Sequence, residues 1–251
     1  MADRQPLHIL CFGDSLTAGY TAMGTRFHPY SKKLEDMVAM AFPDLDVQAI
    51  TDGKSGDTVS YGFKSRIQDN FFPGRSKSEQ VHYDWTIVLG GTNDLAYGIK
   101  PEDIFLHLRD VYNVAFQCGS KVLALTVPEY GIRNDPMRKR LNELIKGHKQ
   151  DGYYVYDLDA AIPYFAMSSS DRHKYWDDEV HFSVEGYNLI GNKVGMNIVK
   201  FLVEDRSATA PPAHVKKRRV FRGDETMFTE ENGDPSSLDQ GYVVVRRKDL
   251  D

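Results

Sequence analysis

The chain is poor in cysteine. Cys11 and Cys118 are the only two in 251 residues, too few for a disulfide framework, and Cys11 falls at an apolar strand position. A reducing compartment is the expectation. No apolar run approaches the roughly 20 residues needed to cross a bilayer. Met1 to Pro6 precede the first strand without an apolar stretch, so no secretion signal is legible and a cytoplasmic protein is expected. A net charge of only -5 favours solubility and leaves no footprint for nucleic acid.

Nucleotide signatures are missing as well. Gly53-Lys54-Ser55 ends like a phosphate loop, but Gln48 stands where that motif needs its first glycine. Gly13 and Gly19 are too far apart for a dinucleotide-binding turn. The Gly-x-Ser-x-Gly elbow is absent too.

What is present suffices for one sizeable core: 41% of the residues are hydrophobic. Short apolar runs at Leu7 to Phe12, Val47 to Ile50, Thr86 to Leu89, Val122 to Val127 and Tyr153 to Tyr156 read as strands. Between and after them, Tyr30 to Phe42, Ile104 to Phe116 and Val184 to Val203 repeat apolar residues at helical spacing. The second of these is opened by Pro101 and closed near Gly119. Strand and helix in alternation predict an α/β fold: a three-layer α/β/α sandwich around a mainly parallel five-stranded sheet.

After about Asp205 the character changes. Ser207 to Ala213 reads as a linker, followed by the basic run Lys216 to Arg219 and an acidic stretch. Gly241 to Val245 is strand-like. The expected division is a folded domain over 1–205 and a linker and tail over 206–251.

Chemistry concentrates at strand ends. Gly13-Asp14-Ser15-Leu16 follows the first strand, where a glycine allows a tight turn and the next helical turn offers free N–H groups. Alone, an Asp-Ser pair there is an ordinary helix cap. The rest of the chain adds Ser55-Gly56-Asp57-Thr58, Gly91-Thr92-Asn93-Asp94 and Asp178-Glu179-Val180-His181. With these blocks, spread over residues 13 to 181, the chain resembles the SGNH hydrolases, the GDSL-type esterases and lipases. The second block departs from the family pattern, since Thr51 stands where an asparagine is usual.

The resemblance implies a serine esterase of flavodoxin-like fold, and each block can be argued from chemistry. A serine hydroxyl needs a base to take its proton, and His181 is the candidate. Asp178, at a spacing that suits one face of a helical turn, would orient and charge-balance the imidazole. Ser183 and Gly186, just beyond, suit a helix cap. Negative charge on the tetrahedral intermediate calls for preset donors: the Ser15 and Gly56 N–H groups and the Asn93 amide. Asp14 and Asp94 read as locks on their own turns.

Aromatic residues in the same loops, Tyr61, Phe63, Tyr97, Tyr175 and Trp176, are candidates to wall a substrate pocket. Pro128-Glu129-Tyr130 falls at the same edge. The expected partner is a small-molecule ester, with no metal or organic cofactor. The same site would perform acyl transfer if a second alcohol replaced water, and a non-catalytic ester- or glycan-binding scaffold is the reading from another class.

Overall fold

The computed structural model describes residues 4–75 and 79–209. In chain order the elements are β1 Gln5–Gly13, α1 Ser15–Ala18, β2 Tyr20–Thr21, β3 Arg26–Phe27, α2 Tyr30–Ala41, β4 Leu45–Gly53, α3 Lys64–Phe71 and β5 Trp85–Leu89. There follow α4 Thr92–Ala96, α5 Pro101–Gln117, β6 Lys121–Leu125, α6 Pro136–Gly147, β7 Tyr153–Tyr156, α7 Leu158–Ala161, α8 Ser169–Tyr175 and α9 Val184–Thr209. Residues Met1–Glu204 group as one unit and Asp205–Asp251 as another. Lys216 to Arg219 and Gly241 to Val245 lie outside the described residues.

The main sheet has five strands in the order β4-β1-β5-β6-β7, with every neighbouring pair parallel. Its strands alternate sides, as a sheet covered on both faces requires. Ile9 and Cys11 of β1, Ile87 of β5 and Leu123 of β6 meet α2 and α9 through Leu34, Val38, Ile190 and Val194. Leu10 and Phe12, Val88 and Ala124 face the opposite layer, where α3, α5 and α6 contribute Ile67, Leu108 and Leu141. The sequence-predicted three-layer α/β/α sandwich is the observed fold.

The chain leaves β1 for β4 on one side and returns past it to β5 on the other. Loops on the two sides therefore part at the carboxyl end of β1, the place where open α/β sheets hold their sites.

Helices α9, α6 and α3 show where the sequence expectation falls short. Helix α9 runs on to Thr209, through Ser207, where a linker was expected to begin. Pro211 is the first helix breaker after Gly195, so nothing earlier stops the helix. Helix α6 is not signalled by an apolar stripe, because its inward face carries Arg138 and Asn142 beside Leu141 and Ile145. Internal partners hold both side chains, although the buried Nε of Arg138 has none: Arg138 pairs with Asp159, and Asn142 exchanges hydrogen bonds with the Val127 backbone at 2.8 and 2.9 Å. Helix α3 buries only Ile67 and Phe71, too few positions to register as periodic.

Candidate active site

Four loops at the carboxyl edge of the sheet converge. After β1 ends at Gly13, Asp14 caps α1, its Oδ1 accepting the Leu16 N–H at 2.9 Å. Ser15 is thereby the first helical residue and not the cap, and its hydroxyl is free for other work. That hydroxyl lies 3.0 Å from Nε2 of His181.

His181 belongs to a tight loop between α8 and α9. Trp176 and Phe182 close the loop as an isolated bridge, with Asp177 N–H donating to the His181 carbonyl at 2.9 Å. Nδ1 of His181 meets Oδ2 of Asp178 at 2.9 Å. The other carboxylate oxygen, Oδ1, accepts the N–H groups of Val180 and His181, both at 2.6 Å. Thus Asp178 and His181 are brought together by an Asp-centred turn, not by the helical turn that their spacing suggested. Ser183 then caps α9 by accepting the Gly186 N–H at 3.1 Å.

Burial raises the affinity of Asp178 for a proton, but the two N–H donors and the imidazole outweigh it, so its carboxyl sits below the ordinary range. Asp178 is held as an anion beside the ring, in position to fix its tautomer. Asp14 behaves oppositely. Complete burial, with Asp94 nearby, overcomes the Leu16 bond and Arg66 and pushes its carboxyl up to about 7. Cys11, close behind, is pushed up to about 12 by burial, which leaves its thiol inert.

The turn after β4 supplies Gly56, at φ +77°, where a Cβ would meet nothing within 4 Å. Its backbone is open to an approaching molecule, and the left-handed conformation favours glycine. Asn93, in the first turn of α4, reaches the same turn: Nδ2 donates to the Asp57 carbonyl at 2.8 Å. One amide hydrogen is spent on that bond, and the other remains available. Thr51, the departure from the family pattern, bonds through its hydroxyl to Ser31 on α2.

Asp94 does not lock its own turn. It accepts the Val59 and Ser60 N–H groups at 2.8 and 3.0 Å and the Ser60 hydroxyl at 2.6 Å. It therefore fixes the chain that follows Gly56, across 34 or 35 residues of sequence. Arg66 clamps the same region, donating to the Asp57 carboxylate at 2.7 Å and to the Gly13 carbonyl at 2.9 Å.

The aromatic candidates separate. Tyr61 and Tyr97 are exposed, at 82% and 74%. Tyr175 is half-buried against the core beside α9, with the Lys174 ammonium over its ring at 5.0 Å. Trp176 and Phe63 are corrections to the pocket-wall expectation, since both are core residues, exposed by 5% and 0%. Trp176 packs against Phe182 at 4.2 Å and Tyr164 at 5.1 Å between ring centroids, and so anchors the base of the His181 loop. The segment after β6 is tied to that loop from the other side, the Gly131 N–H donating to the Glu179 carbonyl at 3.0 Å. Its Glu129 carboxylate is turned away to the Phe165 N–H at 2.9 Å.

One contact escaped the sequence reading. The ring of Tyr20 lies 4.4 Å from the imidazole of His181, centroid to centroid. No spacing rule links positions so far apart in the chain. Among the described residues, no cluster of three or more His, Cys, Asp or Glu is placed to hold a metal ion. No helix among them is long and apolar enough to cross a membrane.

Comparison with known proteins bears on family and fold. The model of the GDSL-like Lipase/Acylhydrolase family matches residues 11–189. Among solved structures, an acetylxylan esterase from Geobacillus stearothermophilus shares the fold at a TM-score of 0.61 and 19% identity, covering 79% of this chain and 96% of its own. A carbohydrate acetylesterase family member from Sinorhizobium meliloti does so at 0.57 and 16%, covering 78% and 99%. A comparison with curated protein sequences returns no significant match.

Proposed function

The chain belongs to the GDSL-like lipase/acylhydrolase family, and on that premise we propose that it is a serine esterase working through an acyl-enzyme on Ser15. Family membership supports a hydrolase acting on esters. The finer reading rests on one observation above the rest, the hydrogen-bonded chain from Ser15 Oγ through both nitrogens of His181 to Asp178, at 3.0 and 2.9 Å.

In this reading Nε2 of His181 takes the Ser15 proton as Oγ attacks the ester carbonyl. The negative charge that develops on the carbonyl oxygen is met by the N–H groups of Ser15 and Gly56 and the free amide hydrogen of Asn93. The imidazolium, balanced by Asp178, hands its proton to the departing alcohol. Water then enters, gives a proton to His181 and attacks the acyl carbon, and collapse returns the proton to Ser15 and releases the acid.

Exposed Tyr61 and Tyr97, with the open face of Gly56, are the residues assigned to the substrate side of the cleft. The two structural neighbours are an acetylxylan esterase and a carbohydrate acetylesterase family member. Acetylated sugars are accordingly the first natural substrates to assay.

A fluorophosphonate probe tests the nucleophile without knowledge of the substrate. Stoichiometric labelling mapped by peptide mass to Ser15, and lost in His181→Ala, is the expected result. Labelling elsewhere, or labelling indifferent to His181, overturns the assignment.

A further inference from the structure

The two hydrogen bonds to His181 define a line through its nitrogens, from Ser15 to Asp178. They do not fix the tilt of the ring about that line. A contact on the face of the imidazole is needed for that, and Tyr20 supplies one, with centroids 4.4 Å apart and planes inclined by 39°.

The local sequence builds this contact deliberately. Helix α1 is stopped at Gly19, at φ +78°, where a Cβ would fall 2.1 Å from the His28 carbonyl carbon. The chain reverses there, and Tyr20 pairs with Phe27 across the β2–β3 hairpin. The hairpin turns through Ala22, Met23 and Gly24, all in the left-handed region at φ 50°, 52° and 80°. For Ala and Met that conformation is strained, and it is held by an external bond: the Ala22 N–H donates to Oδ2 of Asp177 at 2.7 Å. Asp177 directly precedes Asp178 in the His181 loop. From α9, the Tyr187 hydroxyl donates to the Tyr20 carbonyl at 2.9 Å. The hairpin is thus pinned to the loop that carries Asp178 and His181.

We propose that Tyr20 is a positioning residue for His181, its ring fixing the tilt of the imidazole and favouring the imidazolium formed when Ser15 gives up its proton. An aromatic face attracts a cation set over it. Of the titratable groups nearby, Asp178 bonds the ring itself, Asp177 precedes it on the same loop, and the Tyr187 phenol on α9 feels both carboxylates and that of Asp14 after β1. Tyr20 is the aromatic ring in tilted contact with the imidazole. The role in catalysis rests on the serine esterase reading, whereas the effect on the imidazolium does not.

Two readouts keep these apart. The first is the titration of the His181 ring protons by NMR in the full chain, compared across wild type, Tyr20→Phe and Tyr20→Leu. Phenylalanine removes only the hydroxyl, whereas leucine keeps the apolar cover and removes the π face as well. The midpoint is expected to fall in Tyr20→Leu and to hold in Tyr20→Phe, whether or not the protein turns over esters. The second is nitrophenyl acetate hydrolysis from pH 5 to 9. Here Tyr20→Leu should lose roughly 5- to 30-fold in kcat with KM within about 2-fold, and its acid limb should move to lower pH, while Tyr20→Phe stays near wild type. Tyr20→Met serves in place of leucine if that variant does not fold. An unmoved titration midpoint in the leucine or methionine variant overturns the proposal. So does a loss confined to KM, or a phenylalanine variant as impaired as leucine. A shifted midpoint in a protein without ester turnover would leave the Tyr20 contact standing and remove the esterase reading.

Discussion

Asn93 and Asp57 meet across two turns: the amide Nδ2 of Asn93 donates to the Asp57 carbonyl at 2.8 Å. The bond places Asn93 beside the open backbone of Gly56 and fixes which way its remaining hydrogen points. A donor aimed before the reaction begins costs nothing to reorganise when charge develops.

Asn93→Ala should therefore lower kcat by roughly 10²- to 10³-fold, with the circular dichroism spectrum unchanged. A rate within a factor of about two of wild type would remove Asn93 from the oxyanion site.

Asp178→Asn retains an oxygen to accept the Val180 and His181 N–H groups but removes the charge beside the imidazole. A fall of about 10²- to 10⁴-fold in kcat/KM is expected, with little change in melting temperature. A large loss of stability with normal turnover of the remaining folded protein would assign Asp178 to loop structure alone.

Asp14 gives a pH signature in stability. Its folded-state carboxyl is raised to about 7, chiefly by burial, above the unfolded value of about 3.9. Between these values the folded state holds a proton that the unfolded state has lost. Its contribution is therefore fullest below about pH 4 and is lost as pH rises through about 7. The melting-temperature advantage of Asp14→Asn over wild type should widen from pH 4 to about 7 and then level off. An advantage independent of pH would show that Asp14 is charged when buried.

Trp176 separates an anchor from a pocket wall. Truncation of a core tryptophan costs about 3–5 kcal/mol, so Trp176→Ala should melt many degrees lower while the KM of the folded fraction stays put. A raised KM at unchanged stability would return Trp176 to the substrate pocket.

Much of this molecule is legible in its sequence where a single physical rule dominates. Tyr153 to Tyr156 and the other four strands declare themselves as apolar runs, and α2, α5 and α9 as stripes. Ser15, Gly56, Asn93, Asp178 and His181 are visible because each sits at a strand end or turn with chemistry to offer. What escapes depends on contacts between distant positions. Helix α6 hides behind Arg138 and Asn142, whose partners Asp159 and Val127 the sequence does not pair. Asp94 spends its oxygens on Val59 and Ser60 in another turn. Trp176 looks the same in sequence whether it faces substrate or core, and its packing on Phe182 and Tyr164 decides the matter. Tyr20 meets His181 only because Gly19 reverses the chain and Asp177 catches the hairpin.

The most direct test of the account is hydrolysis of nitrophenyl esters of increasing acyl length by wild type beside Ser15→Ala. The account predicts turnover by wild type that falls at least about 10³-fold in the variant. Equal rates for the two proteins, or no turnover of any ester by wild type, would contradict it.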